Sequence, residues 1–183
     1  MLENLKEEIC LANQQLPSSG LVKLTWGNVS GIDKDKGIFG IKPSGIDYND
    51  LKPSDIVLVD MEGQKVEGNL NPSSDTKTHL ELYKAWPEIG GITHTHSLSA
   101  TTLAQTGKEL PCFGTTHADH FYGTVPVCRA LNQSELADDY EKNTGVIIVK
   151  HFLENDIDPI KIPAILQLHH APFTWGKSAI KSL

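Results

Sequence analysis

Six of the eight histidines lie in three short segments, and one pair among them has the spacing of a metal site. His94 and His96 are separated by one residue at the end of an apolar, glycine-led stretch. Residues two apart on a strand point to the same face, with Cα atoms about 6.5–7 Å apart, so both imidazoles can reach one Zn²⁺ at about 2.0–2.1 Å. A third protein ligand would leave a position open for substrate, as in catalytic zinc sites. The alternative is a pair of histidines on an exposed strand face.

The remaining ligands have more than one candidate. His169 and His170 are neighbours, so on a strand they point to opposite faces and at most one can reach the metal. Asp75 offers a carboxylate that could complete the site or act as a base. Its position before an amphipathic stretch also suits a helix N-cap. The residues alone leave these alternatives open.

Small and polar residues in three loops favour a site for an anion. A helix N-terminus presents free amides and a partial positive charge, which suit a phosphate, and Lys42 could add a full charge. Each residue is by itself an ordinary turn residue, so the argument depends on their convergence with the metal motif. The loop residues are Asn28, Ser44, Gly45, Ser73 and Ser74.

Two further segments carry groups that could transfer protons. His117 and Asp119 are acid–base candidates in the sequence Thr115-Thr-His-Ala-Asp119. The polarity of a loop would explain them about as well. Tyr140 and Glu141 are predicted on a helix, where they could simply be surface residues.

Composition limits the class of protein. The 183 residues predict one soluble domain, and the net charge of −7 with a single arginine, Arg129, argues against a nucleic-acid partner. No stretch approaches the roughly 20 apolar residues of a membrane span, and the N-terminal segment does not read as a secretory signal. Three scattered cysteines without a CxxC pattern predict a reduced, cytoplasmic protein.

The elements that must position these residues are a mixture of helices and strands. An amphipathic helix is predicted from Leu2 to Leu16, where Leu5, Ile9 and Ala12 recur at helical spacing. The order lacks regular βαβα alternation, so a central sheet covered by helices is predicted. Strands are predicted at 21–30, 37–41, 56–60, 65–66, 90–96, 162–168 and 173–175, and further helices at 75–86, after Ser97, and at 134–144.

Six motifs in order resemble the class II aldolase/adducin-type family and, within it, the L-ribulose-5-phosphate 4-epimerases. The resemblance runs from about Leu5 to Lys177 and implies one α/β domain over 1–183, with a mainly antiparallel sheet covered by helices on both faces. The motifs are Trp26-Gly-Asn-Val-Ser, Lys42-Pro-Ser-Gly, Pro72-Ser-Ser-Asp-Thr, Gly90-Gly-Ile-Thr-His-Thr-His-Ser, Gly114-Thr-Thr-His-Ala-Asp and His170-Ala-Pro-Phe-Thr-Trp-Gly.

The resemblance implies a role for each matching residue. It implies that His94, His96 and His170 bind Zn²⁺, or another divalent metal such as Mn²⁺ or Co²⁺, with Asp75 as a further ligand. Asp119 matches the family's catalytic acid/base. Contacts to the substrate and its phosphate are implied for Gly27, Asn28, Lys42, Ser44, Gly45, Ser73 and Ser74.

The implied activity is the metal-dependent conversion of L-ribulose 5-phosphate to D-xylulose 5-phosphate. Carbon 4 bears no acidic proton, so its inversion requires cleavage of the C3–C4 bond by a retro-aldol step and re-addition of the rotated aldehyde. Aspartate at position 75 favours an epimerase, because the family's sugar-phosphate aldolases carry glutamate there. The alternatives are a class II sugar-phosphate aldolase, a catalytically degenerate metal-binding member, and an adducin-like interaction domain.

The family pattern extends beyond the last residue of this sequence. Family members add a helix and a tail whose tyrosine supplies a second acid in a neighbouring subunit, and nothing up to Leu183 matches that tyrosine. We therefore expect a domain that is incomplete at its C-terminus, with residues 178–183 beginning a helix and an apolar sheet face exposed. The resemblance also implies a homotetramer.

Overall fold

Eight strands join one sheet in the computed structural model, which describes residues 2–183. Their order across the sheet is β4-β3-β2-β1-β5-β8-β7-β6, and every neighbouring pair is antiparallel except β6 with β7. The predicted mainly antiparallel sheet is thus confirmed. The strands are β1 Gly27–Asp33, β2 Ile38–Ile41, β3 Val57–Asp60, β4 Lys65–Glu67, β5 Gly91–Thr95, β6 Val127–Cys128, β7 Ala164–Gln167 and β8 Pro172–Gly176.

Six α-helices accompany the sheet in this part of the chain. They are α1 Leu2–Ser18, α2 Thr76–Ala85, α3 Leu98–Thr106, α4 Thr115–Ala118, α5 Gln133–Ala137 and α6 Tyr140–Glu154. Short 3₁₀ turns lie at Pro53–Asp55 and Ile180–Ser182. Within residues 2–183 no helix is long and apolar enough to cross a membrane.

Helices cover both faces of the sheet, as predicted. On one face α2 and α6 pack on β-strand residues such as Phe39, Ile92 and Phe173, which are 0% exposed. On the other face α1 buries Ile9 against Val29. This division follows from the alternation of side chains along each strand.

Two predicted elements are wrong in detail. Residues 21–26 are not part of a strand, because β1 begins only at Gly27. The predicted helix at 134–144 is two helices, interrupted at Asp138, and the second continues to Glu154. The N-cap of α5 is Asn132, whose side chain accepts a hydrogen bond from the Glu135 amide at 2.9 Å.

The last residues lie against the sheet and do not begin an α-helix, so that expectation is wrong. The Ser182 hydroxyl is 2.7 Å from the Thr93 hydroxyl, in the middle of β5. A Cβ at Gly91 would lie 2.3 Å from the Ser178 carbonyl oxygen, so this close approach requires glycine. The segment partly covers the sheet face that we expected to be exposed. Beside it lies a mainly apolar cavity of about 840 Å³, with Trp175 and Leu183 in its wall.

Candidate metal centre

Three histidines converge at the end of β5. The potential ligand nitrogens of His94, His96 and His170 all lie within 4.8 Å of one another. His94 lies in β5, His96 follows the strand directly, and His170 lies in the turn between β7 and β8. The antiparallel pairing of β5 with β8 places His94 opposite Phe173, so the turn before β8 brings His170 beside it. The three ligands implied by the resemblance are therefore together in space.

The protein holds two of these rings in orientations that leave one nitrogen free. His94 Nδ1 donates to the Pro172 carbonyl at 2.9 Å, and its ring stacks on Phe173 with centroids 4.2 Å apart. His170 Nδ1 donates to the Gln167 side-chain carbonyl at 2.8 Å. In both rings Nε2 is left as the lone-pair nitrogen, and such second-sphere hydrogen bonds are typical of metal-ligating histidines.

The third ring completes a donor set that fits a divalent metal. His96 Nε2 lies 3.2 Å from His170 Nε2, and both nitrogens face the same point. Burial lowers the pKa of His170 to about 4, helped by His94 and His96, and burial also lowers the pKa of His96. These two imidazoles are therefore neutral near pH 7, which is the form that binds metal.

Asp75 lies in the same cavity but outside the converging group. It occupies the N-cap position of α2, yet its side chain makes no capping bond, so the N-cap interpretation is wrong for the carboxylate. Its Oδ2 atom accepts a hydrogen bond from the Asn28 amide at 2.6 Å. Burial raises the pKa of Asp75, but His94, His79 and the Asn28 amide outweigh that effect, so the pKa is lowered overall.

The loops predicted to bind phosphate form the rest of the cavity wall. The cavity has a volume of about 370 Å³. The Ser73 amide donates to the Lys42 carbonyl at 3.1 Å, and the Ser44 amide donates to the Asn71 carbonyl at 3.0 Å, so the two loops are joined. The wall includes all seven residues implied as phosphate or substrate contacts: Gly27, Asn28, Lys42, Ser44, Gly45, Ser73 and Ser74.

Lys42 is a buried cation at this cavity. The residue is 2% exposed, and its ammonium group donates to the Pro43 carbonyl at 3.2 Å and lies 4.9 Å from the centre of the Tyr48 ring. Within residues 2–183 it forms no salt bridge. Burial lowers the pKa of Lys42 because the charged form is poorly solvated, and an anionic ligand would restore the lost solvation.

Gly27 is required at the start of β1. Its φ of +143° is rarely adopted by residues with a side chain, and a Cβ there would lie 2.7 Å from Val22 and 3.0 Å from the His94 carbonyl. Glycine thus allows the backbone of β1 to begin against the strand that carries His94.

Asp119 is not brought to this cavity by the fold of one chain. It follows α4, is exposed, and lies in the wall of the apolar cavity near Trp175 and Leu183. His117, the other acid–base candidate, donates to the Gly123 carbonyl through its Nε2 atom. The catalytic role of Asp119 therefore stays a prediction.

His169 and His170 lie in a turn and not on a strand. His169 is exposed and has a φ of +66°, while its neighbour turns into the cavity. The prediction that at most one of them faces the metal site agrees with this arrangement, although the strand argument for it is wrong.

Sequence reasoning missed two polar partners of His170. Gln167 lies three residues before His170, a spacing that could have marked it as a turn partner. Tyr140 comes from α6, and its hydroxyl lies 3.2 Å from His170 Nδ1. The surface interpretation is wrong for Tyr140 and Glu141, because both line the cavity. No local signal in the sequence connects α6 to this site.

Comparison with known proteins defines the family. The family model described as the class II aldolase and adducin N-terminal domain matches residues 7–183. The chain therefore belongs to the class II aldolase/adducin family.

Solved structures of sugar-phosphate aldolases share the fold. An L-fuculose 1-phosphate aldolase is 28% identical, with a TM-score of 0.77 over 96% of this chain and 76% of the other. An L-fuculose-1-phosphate aldolase from Thermus thermophilus is 23% identical, with a TM-score of 0.75 over 100% and 86%. A sugar-phosphate aldolase from Thermotoga maritima is 18% identical, with a TM-score of 0.71 over 98% and 87%.

Proposed function

We propose that this protein is a metal-dependent epimerase that converts L-ribulose 5-phosphate to D-xylulose 5-phosphate. The observation that carries the proposal is one cavity with two kinds of recognition group. Three imidazoles converge at one place in it, and a buried lysine without a carboxylate partner in residues 2–183 lies in its wall. A keto-sugar phosphate carries the two matching groups, oxygens for a metal and a dianion for the lysine.

The phosphate end of the substrate is assigned to the joined loops. Lys42 supplies the charge, and Ser44, Gly45, Ser73 and Ser74 supply hydroxyl and amide donors along the same wall. These contacts hold the substrate through a group that does not react, so the cleaved fragment stays in place for re-addition.

The reacting end is assigned to the histidines and Asp75. When bound by His94, His96 and His170, a divalent ion such as Zn²⁺, Mn²⁺ or Co²⁺ supplies stabilisation of the negative charge that develops when the C3–C4 bond breaks. Asp75 is ionised beside them, so it serves as a fourth ligand or as a base. Asn28 orients its carboxylate.

Proton transfer is assigned to Asp119 of a neighbouring copy. Within one chain Asp119 lines a different cavity from the histidines, so it can serve the site only across an interface. We accordingly propose the homotetramer that the family resemblance implies, in the cytoplasm. An Asp119→Asn variant should keep its metal affinity and lose turnover.

A class II aldolase is the second candidate function. It is favoured by the 28% identity to an L-fuculose 1-phosphate aldolase. Asp75 argues for the epimerase, since the family's aldolases carry glutamate at that position. The two candidates differ in whether the fragments leave the enzyme after the carbon–carbon bond breaks.

The test is an assay of both reactions with the metal-loaded protein. With L-ribulose 5-phosphate, we expect D-xylulose 5-phosphate to exceed free dihydroxyacetone and glycolaldehyde phosphate. Release of dihydroxyacetone phosphate and an aldehyde from L-fuculose 1-phosphate at a higher rate would support the aldolase instead. Folded protein that binds metal but turns over neither substrate would identify a catalytically degenerate member. The control is the His94→Ala, His96→Ala double variant, which should bind no metal.

A further inference from the structure

A row of buried polar side chains joins α2 to β1 directly behind the cavity. Asp75, His79 and Tyr83 are spaced by four residues, so they share one face of α2. Asn28 and Ser30 are spaced by two and share one face of β1. Asn28 donates to Asp75 at 2.6 Å, and the Ser30 hydroxyl lies 2.7 Å from His79 Nδ1 and 2.8 Å from the Tyr83 hydroxyl. We call these five residues the polar ladder.

The inner part of the ladder, which is Ser30, His79 and Tyr83, lies in an apolar environment. Ser30 and His79 are 0% exposed and Tyr83 is 3% exposed. Phe39 packs against the Tyr83 ring and Phe173 against the His79 ring. Apolar side chains of similar size would avoid the cost of removing polar groups from water. Directional hydrogen bonds at 2.7–2.8 Å constrain the sliding of a helix along a strand more strongly than apolar contacts do.

The hydrogen bonds of the ladder can run in two directions. Tyr83 has one proton, and Ser30 is its only hydrogen-bond partner within residues 2–183. If Tyr83 donates to Ser30 and Ser30 donates to His79 Nδ1, both hydroxyl protons are used. The reverse direction leaves the Tyr83 proton without an acceptor, and in both directions His79 Nε2 has no hydrogen-bond partner within residues 2–183. Burial lowers the pKa of His79 to about 3, so its imidazole is neutral.

The same strand that holds the ladder also aligns the candidate metal ligands. In the antiparallel pairing of β1 with β5, Asn28 lies opposite His94 and Ser30 lies opposite Ile92. One turn of α2 connects the inner ladder to Asp75, because the His79 amide donates to the Asp75 carbonyl at 3.0 Å. A shift of α2 along β1 would therefore change the distance between Asp75 and the histidines.

We propose that Ser30, His79 and Tyr83 are positioning residues for the Asp75 carboxylate. Their hydrogen bonds fix the register of α2 on β1 and so hold Asp75 at a constant distance from His94, His96 and His170. The inference rests on the metal site of the proposed function and assigns to that site three residues that do not line its cavity.

The test compares Co²⁺ binding by a ladder variant with binding by a matched control. His79→Phe keeps a ring and removes both nitrogens, and His79→Gln retains an acceptor for Ser30. The control is Asn13→Ala, because buried Asn13 joins α1 to the other side of β1 through the Val29 backbone. Calorimetric Co²⁺ affinity, the visible Co²⁺ spectrum and the free energy of unfolding of metal-free protein are measured for each variant.

We expect His79→Phe to weaken Co²⁺ binding by about 10–100-fold and to alter the Co²⁺ spectrum, as loss of outer-sphere partners does. His79→Gln should recover part of the loss. Asn13→Ala should lower stability and leave both metal readouts unchanged. In an Asp75→Asn background the effect of His79→Phe on affinity should largely disappear, because the two residues act through one interaction.

Three results would overturn the inference. The first is a His79→Phe variant whose Co²⁺ affinity and spectrum match those of Asn13→Ala. The second is an equal loss of affinity with and without the Asp75→Asn change. If His79→Phe does not fold, Tyr83→Phe and His79→Gln are compared with Asn13→Ala, and with and without Asp75→Asn, in the same way. The third, folded wild-type protein that binds no Co²⁺, would overturn the proposed metal site as well, which separates that failure from the other two.

Discussion

At the scale of single residues, the candidate site depends on which nitrogen of each histidine is free. His94 Nδ1 donates to the Pro172 carbonyl and His170 Nδ1 donates to the Gln167 side-chain carbonyl, so Nε2 is the free nitrogen in both rings. Gln167 is itself held by a hydrogen bond to the Thr144 hydroxyl at 3.2 Å. The imidazoles are therefore oriented before any ligand arrives, which lowers the cost of binding one.

Replacing Gln167 by leucine should weaken metal binding. The substitution removes the acceptor of His170 Nδ1–H, so the ring loses its fixed tautomer and orientation, and we expect about a 10–100-fold weaker Co²⁺ affinity by calorimetry. Gln14→Leu is the control, because it makes the same substitution on α1, where the Gln14 side chain donates to the Leu51 carbonyl away from the cavity. Equal affinities for wild type and Gln167→Leu would contradict the role given to Gln167.

Replacing Lys42 by methionine should weaken binding of the sugar phosphate and leave metal affinity unchanged. Hydrogen bonds to charged groups contribute about 1.5–3 kcal/mol, so a rise in KM of roughly 10–150-fold is expected. Lys52→Met is the control, since Lys52 is exposed and does not line the cavity. An unchanged KM for the sugar phosphate, measured with the metal-loaded enzyme, would argue against a phosphate at Lys42.

At the scale of elements, the break between α5 and α6 shapes the site. One continuous helix over 134–144 would place Tyr140 differently, whereas the second helix begins at Tyr140 and presents it to His170. The break follows a strongly capped short helix, in which Asn132 and Glu135 exchange hydrogen bonds and Arg129 pairs with Glu135.

The Asn132→Ala substitution should therefore lower the free energy of unfolding by about 0.5–2 kcal/mol, the usual cost of losing an N-cap. Ser134→Ala is the matched control, because Ser134 lies in the first turn of α5 and its hydroxyl donates to Asn132 Oδ1 at 2.7 Å without bonding to a backbone amide. Urea unfolding measures both variants. A larger loss for Ser134→Ala would contradict the observed cap.

At the scale of the whole molecule, the fold keeps two histidines neutral by burying them. Burial lowers the pKa of His79 to about 3 and that of His170 to about 4. In the unfolded chain both have the ordinary pKa of about 6.5. Between about pH 6.5 and pH 4 the unfolded chain therefore binds protons that the folded chain excludes.

The stability of the metal-free protein should accordingly fall as the pH is lowered from about 6.5 to 4.5, because proton uptake favours the unfolded state. Urea unfolding at a series of pH values measures the slope. A His170→Asn variant should show a shallower slope. A free energy of unfolding that stays constant or rises on acidification over this range would contradict the assignment.

Local pattern was enough to predict much of the fold and part of the candidate site. The mixed sheet, the helix from Leu2 and the pairing of His94 with His96 follow from spacings of two and about 3.6 residues, which depend only on backbone geometry. The motif order identified the family, which the family model confirms. Metal binding and the residue roles implied by the resemblance stay predictions.

The sequence by itself determined which residue types occur and which faces of strands and helices they share, because those properties are local. Only the tertiary structure decided that Tyr140 and Gln167 meet His170, that His79 and Ser30 bond behind Asp75, and that Asp119 lies in another cavity. These contacts join residues that lie in different elements. They depend on strand register and helix packing, which are set by the whole core and have no signature in a short stretch of sequence.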